Sequence, residues 1–331
     1  TGTGVEITAD SATVILNELA DNVISSNAGD GVVLTALNMG TLLVPPTEDV
    51  NDSGTLDPGE DDNEDLNLDG ILNPGEDINL DGFLNQGNGN GLLDRGIINN
   101  SVANNARNSF VVNASNLSTV DLGNVTQTSL LYNTAGTGGF VVNGSDSNVT
   151  AAFTSSTVSG DSANNPTTGP GFLATFSNTN PDDGLFNISV GGPGLNDGNV
   201  FSLTGGAGIA FVLTDAAVGS LVIQGNEITS VSSSADPLSP FQGDGINVSL
   251  VGSDSLLTSS ALLTRSDIVG NIIGDFDNAN LGVAGSGIRV LTEEDTTIED
   301  LLVADNLIGN VGNDNTPLTV MTPHRPFWKS A

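Results

Sequence analysis

Short apolar segments, most of them led by a glycine, recur along the chain. Runs of this length bounded by turn residues predict β-strands. Apolar residues do not recur at helical spacing beyond a turn or two, so the pattern predicts a mainly β chain. The segments are Gly4–Thr8, Gly31–Thr35, Ser109–Asn113, Gly139–Asn143, Gly171–Thr175, Ile209–Leu213, Gly245–Ser249 and Gly287–Leu291.

The spacing of these segments indicates a repeat architecture. Successive starts lie about 27 to 42 residues apart, within the range of periods that is typical of solenoids. The exception is the interval from Gly31 to Ser109, which is 78 residues long. Removing residues 48–96 leaves 29, one ordinary period, so this stretch is predicted to be an insertion into a single coil.

A second motif, asparagine followed two residues later by isoleucine, lies between the strand segments. It occurs at Asn22, Asn226, Asn271 and Asn306. Asparagine and glycine suit the bent backbone of turns, and stacked asparagine side chains can hydrogen-bond to one another along the axis of a β-helix.

The combination of both motifs, clearest over 226–250 and 271–291, resembles the right-handed parallel β-helix repeats of pectate-lyase-like and bacterial surface proteins. The resemblance implies a β-solenoid more strongly than it implies an activity. An antiparallel sandwich with glycine-rich turns is the alternative fold. The domain prediction is a first solenoid part at 1–47, the insertion at 48–96, the continued solenoid at 97–316 and a tail at 317–331.

The insertion carries 14 acidic residues in a pattern that predicts calcium binding. Residues 49–60 fit the twelve-residue EF-hand loop, with oxygen side chains at alternate positions, glycine at position 6 and glutamate at position 12. Residues 65–76 fit equally well, and a third copy starts at Asp77 but has Asn88 in place of the last glutamate. Because the loops follow one another almost directly, the arrangement resembles helix-poor, dockerin-like repeats in which Ca²⁺ is structural.

The predicted calcium ligands form three sets. Thr55, Ile71 and Phe83 would act through their backbone oxygen atoms. The first set is Asp49, Asn51, Ser53, Thr55 and Glu60; the second is Asp65, Asn67, Asp69, Ile71 and Glu76; the third, weaker set is Asp77, Asn79, Asp81 and Phe83.

The net charge and the absence of cysteine exclude several classes of function. The chain has 40 acidic and 6 basic residues among 331, a net charge of −34, and no cysteine. Such a charge repels nucleic acid and anionic lipid, and no apolar run is long enough to span a membrane as a helix. Disulfides, thiolate catalysis and cysteine zinc sites are excluded. The composition favours an extracellular or cell-surface setting, of bacterial type, in a calcium-rich medium.

The sequence therefore predicts a non-enzymatic, calcium-stabilised structural or adhesive segment. A polysaccharide lyase or hydrolase is the alternative, and a pure ligand-binding module is a third hypothesis. Arginines within the repeats are few and scattered, and no carboxylate pair stands out among those available: Asp182, Asp183, Asp244, Asp275, Asp277, Glu293 and Glu294. Partners are predicted to be other cell-surface components, a polysaccharide or further copies of the chain. The last would associate head to tail through the cationic and aromatic tail, which contains Arg325, Phe327, Trp328 and Lys329.

Overall fold

The computed structural model shows a chain built from parallel β-strands. It describes residues 2–44, 96–132, 138–160, 169–194, 197–231, 243–252, 261–274, 283–293, 296–309 and 318–321. These residues contain strands, turns and bends but no helix. Every strand pairing within them is parallel, so the antiparallel sandwich is wrong.

The described strands form three sheets, which we name A, B and C. Sheet A consists of β1 (Val5–Asp10), β5 (Val32–Leu37), β9 (Phe110–Ser115), β12 (Phe140–Ser145), β15 (Phe172–Asn178), β18 (Ala207–Asp215), β21 (Asp244–Val251), β24 (Ile288–Thr292) and β28 (Leu318–Met321).

Sheet B consists of β2 (Thr13–Ile15), β3 (Glu18–Ala20), β6 (Thr41–Leu43), β7 (Gly96–Ile98), β10 (Thr119–Thr126), β13 (Asn148–Thr154), β16 (Leu185–Gly191), β19 (Val218–Gln224), β22 (Leu262–Val269), β25 (Thr297–Ile298) and β26 (Leu301–Ala304). Sheet C consists of β4 (Val23–Ser25), β8 (Ser101–Ala103), β11 (Ser129–Tyr132), β14 (Thr157–Gly160), β17 (Val200–Ser202), β20 (Glu227–Thr229), β23 (Ile272–Ile273) and β27 (Leu307–Ile308).

The chain visits sheets A, B and C in turn and then returns to A beside its previous strand. We call one such passage a circuit. The first circuit runs from β1 to β4, and the eighth runs from β24 to β27. All eight strand segments predicted from the sequence lie in sheet A and pair with their predicted neighbours. This arrangement is compatible with a parallel β-helix.

Equivalent positions of successive circuits stack in register and form the core. Phe140 pairs with Phe110 on one side and with Phe172 on the other. The ring centroids are 4.9 and 5.4 Å apart, and the planes differ by 10° and 4°. Such stacking adds to the stabilisation from burying the rings. The core is therefore a set of apolar columns that run across the circuits.

The glycine that leads a sheet A strand closes its circuit against sheet C. A Cβ on Gly245 would lie 2.4 Å from Cγ2 of Ile273, and one on Gly208 would lie 2.4 Å from Cγ2 of Ile228. Both isoleucines belong to the asparagine motif of the same circuit. The two motifs found in the sequence thus meet because glycine alone leaves room for the isoleucine.

Strands β6 and β7 precede and follow the predicted insertion. Both pair with β10, β6 through Thr119–Asp121 and β7 through Val125–Thr126. The chain therefore leaves sheet B after β6 and rejoins it at β7 beside one and the same strand. Residues 45–95 lie outside the described residues, and the predicted domain boundaries stay a prediction.

Candidate functional site

All fourteen predicted calcium ligands, from Asp49 to Phe83, lie outside the described residues, so their arrangement stays a prediction. Among the residues that the structure describes, no group of three or more histidine and carboxylate side chains is placed to hold a metal ion.

Of the seven carboxylates considered in the sequence, Asp182, Asp183, Asp244 and Glu293 are described. Asp183 accepts hydrogen bonds from the backbone and side-chain nitrogens of Asn180, which makes it part of a local turn.

Asparagine side chains form a polar ladder at the corner between sheets B and C. One ladder residue stands in each described circuit, just before the sheet C strand. We call this set the asparagine ladder; it comprises Asn22, Asn100, Thr128, Ser156, Asn199, Asn226, Asn271 and Asn306.

The ladder residues bond to one another from circuit to circuit, except between Asn100 and Thr128, whose side chains bond to backbone carbonyl groups instead. Nδ2 of Asn199 donates to Oδ1 of Asn226, and Nδ2 of Asn226 donates to Oδ1 of Asn271, each over 3.0 Å. The backbone N–H of Asn226 donates to the same Oδ1 of Asn271, over 3.0 Å. Nδ2 of Asn226 also donates to the carbonyl of Val190 over 2.8 Å. The side-chain amide of Asn226 therefore donates through its nitrogen and accepts through its oxygen, as a buried polar group requires.

The backbone before five of the six ladder asparagines, all except Asn199, takes a left-handed conformation. Its φ is 56° at Asp21, 52° at Asn99, 69° at Gly225, 66° at Gly270 and 54° at Asp305. Asparagine, aspartate and glycine enter this region at the lowest cost. A residue of this kind ahead of the asparagine is the local signal for the bend from sheet B into sheet C.

The sequence motif found half of the ladder. Asn100 and Asn199 were missed because Val102 and Phe201 stand where the motif has isoleucine. A motif of asparagine followed two residues later by any apolar residue would have found them. Thr128 and Ser156 carry hydroxyl groups instead: the Thr128 N–H donates to Oγ of Ser156 over 2.9 Å.

A shorter polar ladder lies on the outer face of sheet A. Nδ2 of Asn143 donates to Oδ1 of Asn113 over 3.0 Å, and Oγ1 of Thr175 donates to Oδ1 of Asn143 over 2.7 Å. These side chains are partly buried and stack in register across β9, β12 and β15. Like the asparagine ladder, this row links circuits to one another.

The outer face of sheet A also carries a charged cluster, which we call the Asp244 cluster: Asp244 and Asn247 on β21, Arg289 on β24, and the backbone of Ser286. Both carboxylate oxygens of Asp244 are occupied. Oδ1 accepts from the Ser286 N–H over 2.9 Å, and Oδ2 accepts from Nδ2 of Asn247 over 2.8 Å. Nη1 of Arg289 lies 3.7 Å from Oδ2.

The Asp244 cluster is buried to an unusual degree for charged groups. Asp244 and Asn247 are each 1% exposed, and the Arg289 side chain is 21% exposed. The sequence offered Asp244 as one of seven carboxylates but did not connect it with Arg289, because the two residues are 45 positions apart. The pairing of Asn247 with Arg289 across the sheet brings them together.

A second ion pair, between Arg265 and Asp267, lies on a single strand of sheet B. Nε of Arg265 donates to Oδ2 of Asp267 over 2.7 Å, and the two residues lie on the same strand, β22. The Arg265 side chain is 63% exposed. Since β22 belongs to sheet B and β24 to sheet A, Arg265 and Arg289 stand on different sheets, as the scattering of arginines in the sequence indicated.

Comparison with protein-family models, with curated proteins and with solved structures finds no match to this chain. In the part of the chain that the structure describes, no helix is long and apolar enough to cross a membrane. The fold and the site thus define the class as an all-β chain of stacked parallel strands.

Proposed function

We propose that this chain is a calcium-stabilised structural or adhesive segment of an extracellular or cell-surface protein, with the right-handed parallel β-helix fold that its sequence resembles. The observation that carries the proposal is the asparagine ladder. Its asparagine side chains form hydrogen bonds between neighbouring circuits, and the same contact recurs along the direction in which the circuits stack.

The energetic argument starts from Asn226, which is fully buried. Its side chain donates to Asn271 and to Val190 and accepts from both nitrogens of Asn199. A hydrogen bond contributes on net about 1 kcal/mol, but leaving a buried partner unpaired costs about 1–3 kcal/mol. The network therefore holds the circuits in one register, which suits a stalk, matrix element or filament subunit.

The calcium part of the proposal rests on the loop pattern at 49–60 and 65–76. Close carboxylates repel one another until a hard cation is bound, so these loops are expected to fold only with Ca²⁺. Full-length chain in which both closing glutamates are changed, Glu60→Gln with Glu76→Gln, tests this by calorimetric calcium titration. Wild type should take up at least two ions that the double variant loses.

Glu227→Gln is the matched control, because Glu227 is an exposed glutamate on β20 of sheet C. It should bind calcium as wild type does. Absence of calcium uptake by wild type, or equal uptake by the double variant, would overturn the calcium proposal. A β-rich circular dichroism spectrum in all three proteins would show that the substitutions left the sheets intact.

Self-association is the proposed partner interaction. The tail at 317–331 supplies cationic and aromatic side chains to an otherwise acidic chain. Light scattering in calcium, on the full chain and on a chain ended after Met321, tests it, because the shorter chain lacks Arg325, Phe327, Trp328 and Lys329 but keeps β28 of sheet A. Association that disappears with the tail supports head-to-tail assembly, whereas monomers in both cases at high protein concentration refute it.

The polysaccharide enzyme remains the alternative that the resemblance implies. Incubation of the full chain with neutral and with anionic polysaccharides, followed by measurement of new reducing ends and of unsaturated products, separates it from the structural role. Turnover that depends on a carboxylate of this chain would replace the proposal above.

A further inference from the structure

Two large apolar side chains at the corner between sheets A and B are exposed on a backbone that does not suit them. Met39 and Leu117 are 72% and 55% exposed. Their φ angles are 61° and 59°, in the left-handed region, where asparagine and glycine are the favoured residues. Neither burial nor backbone preference accounts for an apolar residue at these places. Strained backbone of this kind is concentrated at functional sites.

The two side chains are neighbours, and a carboxylate lies on each side of them. The Met39 N–H donates over 2.9 Å to the carbonyl of the residue that precedes Leu117. The Leu117 N–H donates to the carbonyl of Asp146 in the fourth circuit. In the first circuit, Oδ1 of Asp10 accepts from Nδ2 of Asn38 over 2.9 Å. We call this row, with one residue from each of four successive circuits, the Met39 corner: Asp10, Met39, Leu117 and Asp146.

The tail has a complementary order of side chains in its sequence. In an extended chain, alternate residues point to the same side, so Arg325, Phe327 and Lys329 would share one face. The two cations would then be about 13 Å apart, since a strand rises about 3.3 Å per residue. Asp10 and Asp146 are three circuits apart, which is about 14 Å at a strand spacing of about 4.8 Å. The aromatic residue is midway between the cations, as the apolar pair is midway between the carboxylates.

The tail is too short to reach the Met39 corner of its own chain. Phe327 lies six residues after Met321, the last residue of β28, and six residues span at most about 22 Å. In sheet A, β9 is six strands away from β28 and β5 is seven, so the corner is about 29 Å away or more. The occupant of the corner is therefore a second copy of the chain.

We propose that residues 325–329 of one copy dock on the Met39 corner of the next copy, with Phe327 against the apolar pair and a cation beside each carboxylate. This inference rests on the proposed self-association and names the surface that receives the tail. The flexible methionine side chain adapts to an aromatic ring and favours contact between its sulfur and the ring. The contact joins two different surfaces, because the tail follows β28 and the corner lies in the first four circuits, so its repetition extends a row of copies.

The experiment measures self-association of the full chain by sedimentation velocity over a range of concentrations at fixed calcium. The corner variant is Met39→Asn with Leu117→Asn. Asparagine suits the left-handed backbone, so this variant should fold at least as stably as wild type although the apolar pair is lost. Val23→Asn with Leu307→Asn is the matched control, because these residues are 80% and 54% exposed on sheet C. The tail variant is the chain ended after Met321.

Wild type and the control should associate, and the dissociation constant should rise at least tenfold in the corner variant and in the tail variant. In an equal mixture, the corner variant supplies a tail and the tail variant supplies a corner. The mixture should therefore form dimers that neither variant forms alone. Phe327→Ala, which changes none of the described residues, should weaken association as the corner variant does, and it decides the question if the corner variant does not fold.

The outcomes separate this inference from the proposed function. If wild type associates and loses association with its tail, but the corner variant associates as wild type does, the Met39 corner is overturned and self-association stands. The absence of dimers in the mixture would also overturn the corner. A wild type that stays monomeric at high protein concentration overturns both.

Discussion

Replacing Gly245 by alanine should destabilise the fold, because it disturbs the contact between sheet A and sheet C in the seventh circuit. The added Cβ would lie 2.4 Å from Cγ2 of Ile273 and 2.6 Å from the carbonyl oxygen of Gly287. Carbon atoms in ordinary contact are about 3.5–4.0 Å apart. The second clash is with the backbone of the next circuit, so a change of side-chain rotamer cannot relieve it.

The size of the effect follows from two opposing contributions. Overpacking a well-packed site costs about 1–3 kcal/mol. Alanine loses less backbone entropy on folding than glycine, which returns about 0.4–1 kcal/mol. We expect a net loss of about 1–2 kcal/mol in the free energy of unfolding, measured by urea denaturation at fixed calcium and followed by circular dichroism.

Two further variants make the reasoning falsifiable. Gly2→Ala is the control, because a Cβ there would have no heavy atom within 4 Å. Adding Ile273→Leu to Gly245→Ala removes the methyl group on the β carbon and should restore part of the loss. If Gly245→Ala unfolds at the same urea concentration as wild type and Gly2→Ala, the closure of the circuit by glycine is wrong.

Three other substitutions probe the ladder and the core by the same urea assay. Asn226→Ala should cost about 3 kcal/mol or more by leaving several buried partners unpaired, whereas the exposed Asn187→Ala should change little; equal effects would contradict the role of the ladder. Ser266→Ala should stabilise the fold by up to about 1 kcal/mol, because its buried hydroxyl has no partner, and a clear loss would show that the hydroxyl is used. Phe140→Ala should cost about 3–5 kcal/mol by opening the phenylalanine stack, and a loss below about 1 kcal/mol would mean that the stack collapses around the gap.

The sequence predicted the parts of the fold that are local and repeated. The strands of sheet A follow from apolar runs beside a glycine, and four of the turns into sheet C follow from an asparagine with isoleucine two residues later. Both signals work because each is a property of a few consecutive residues, and the period then places those residues side by side.

The parts that the sequence could not predict depend on register between distant strands. Asp244 and Arg289 meet because Asn247 pairs with Arg289 across β21 and β24. A shift of one residue would turn every side chain of the strand to the other face. No local pattern contains that information. Thr128 and Ser156 show a second reason why the prediction was incomplete. They occupy ladder positions with hydroxyl side chains, whereas the sequence motif requires an asparagine.

The asparagine ladder has a direction, and this bears on how such a chain changes length in evolution. In every asparagine-to-asparagine step the amide nitrogen of one circuit donates to the oxygen of the next circuit along the chain. The circuits that contain Asn226 and Asn271 therefore each offer an amide donor on one side and an amide acceptor on the other. A further copy of such a circuit would find matching donors and acceptors at its junctions, whereas the circuits of Thr128 and Ser156 pair through backbone N–H groups, so we expect gene duplication to add or remove asparagine circuits most readily.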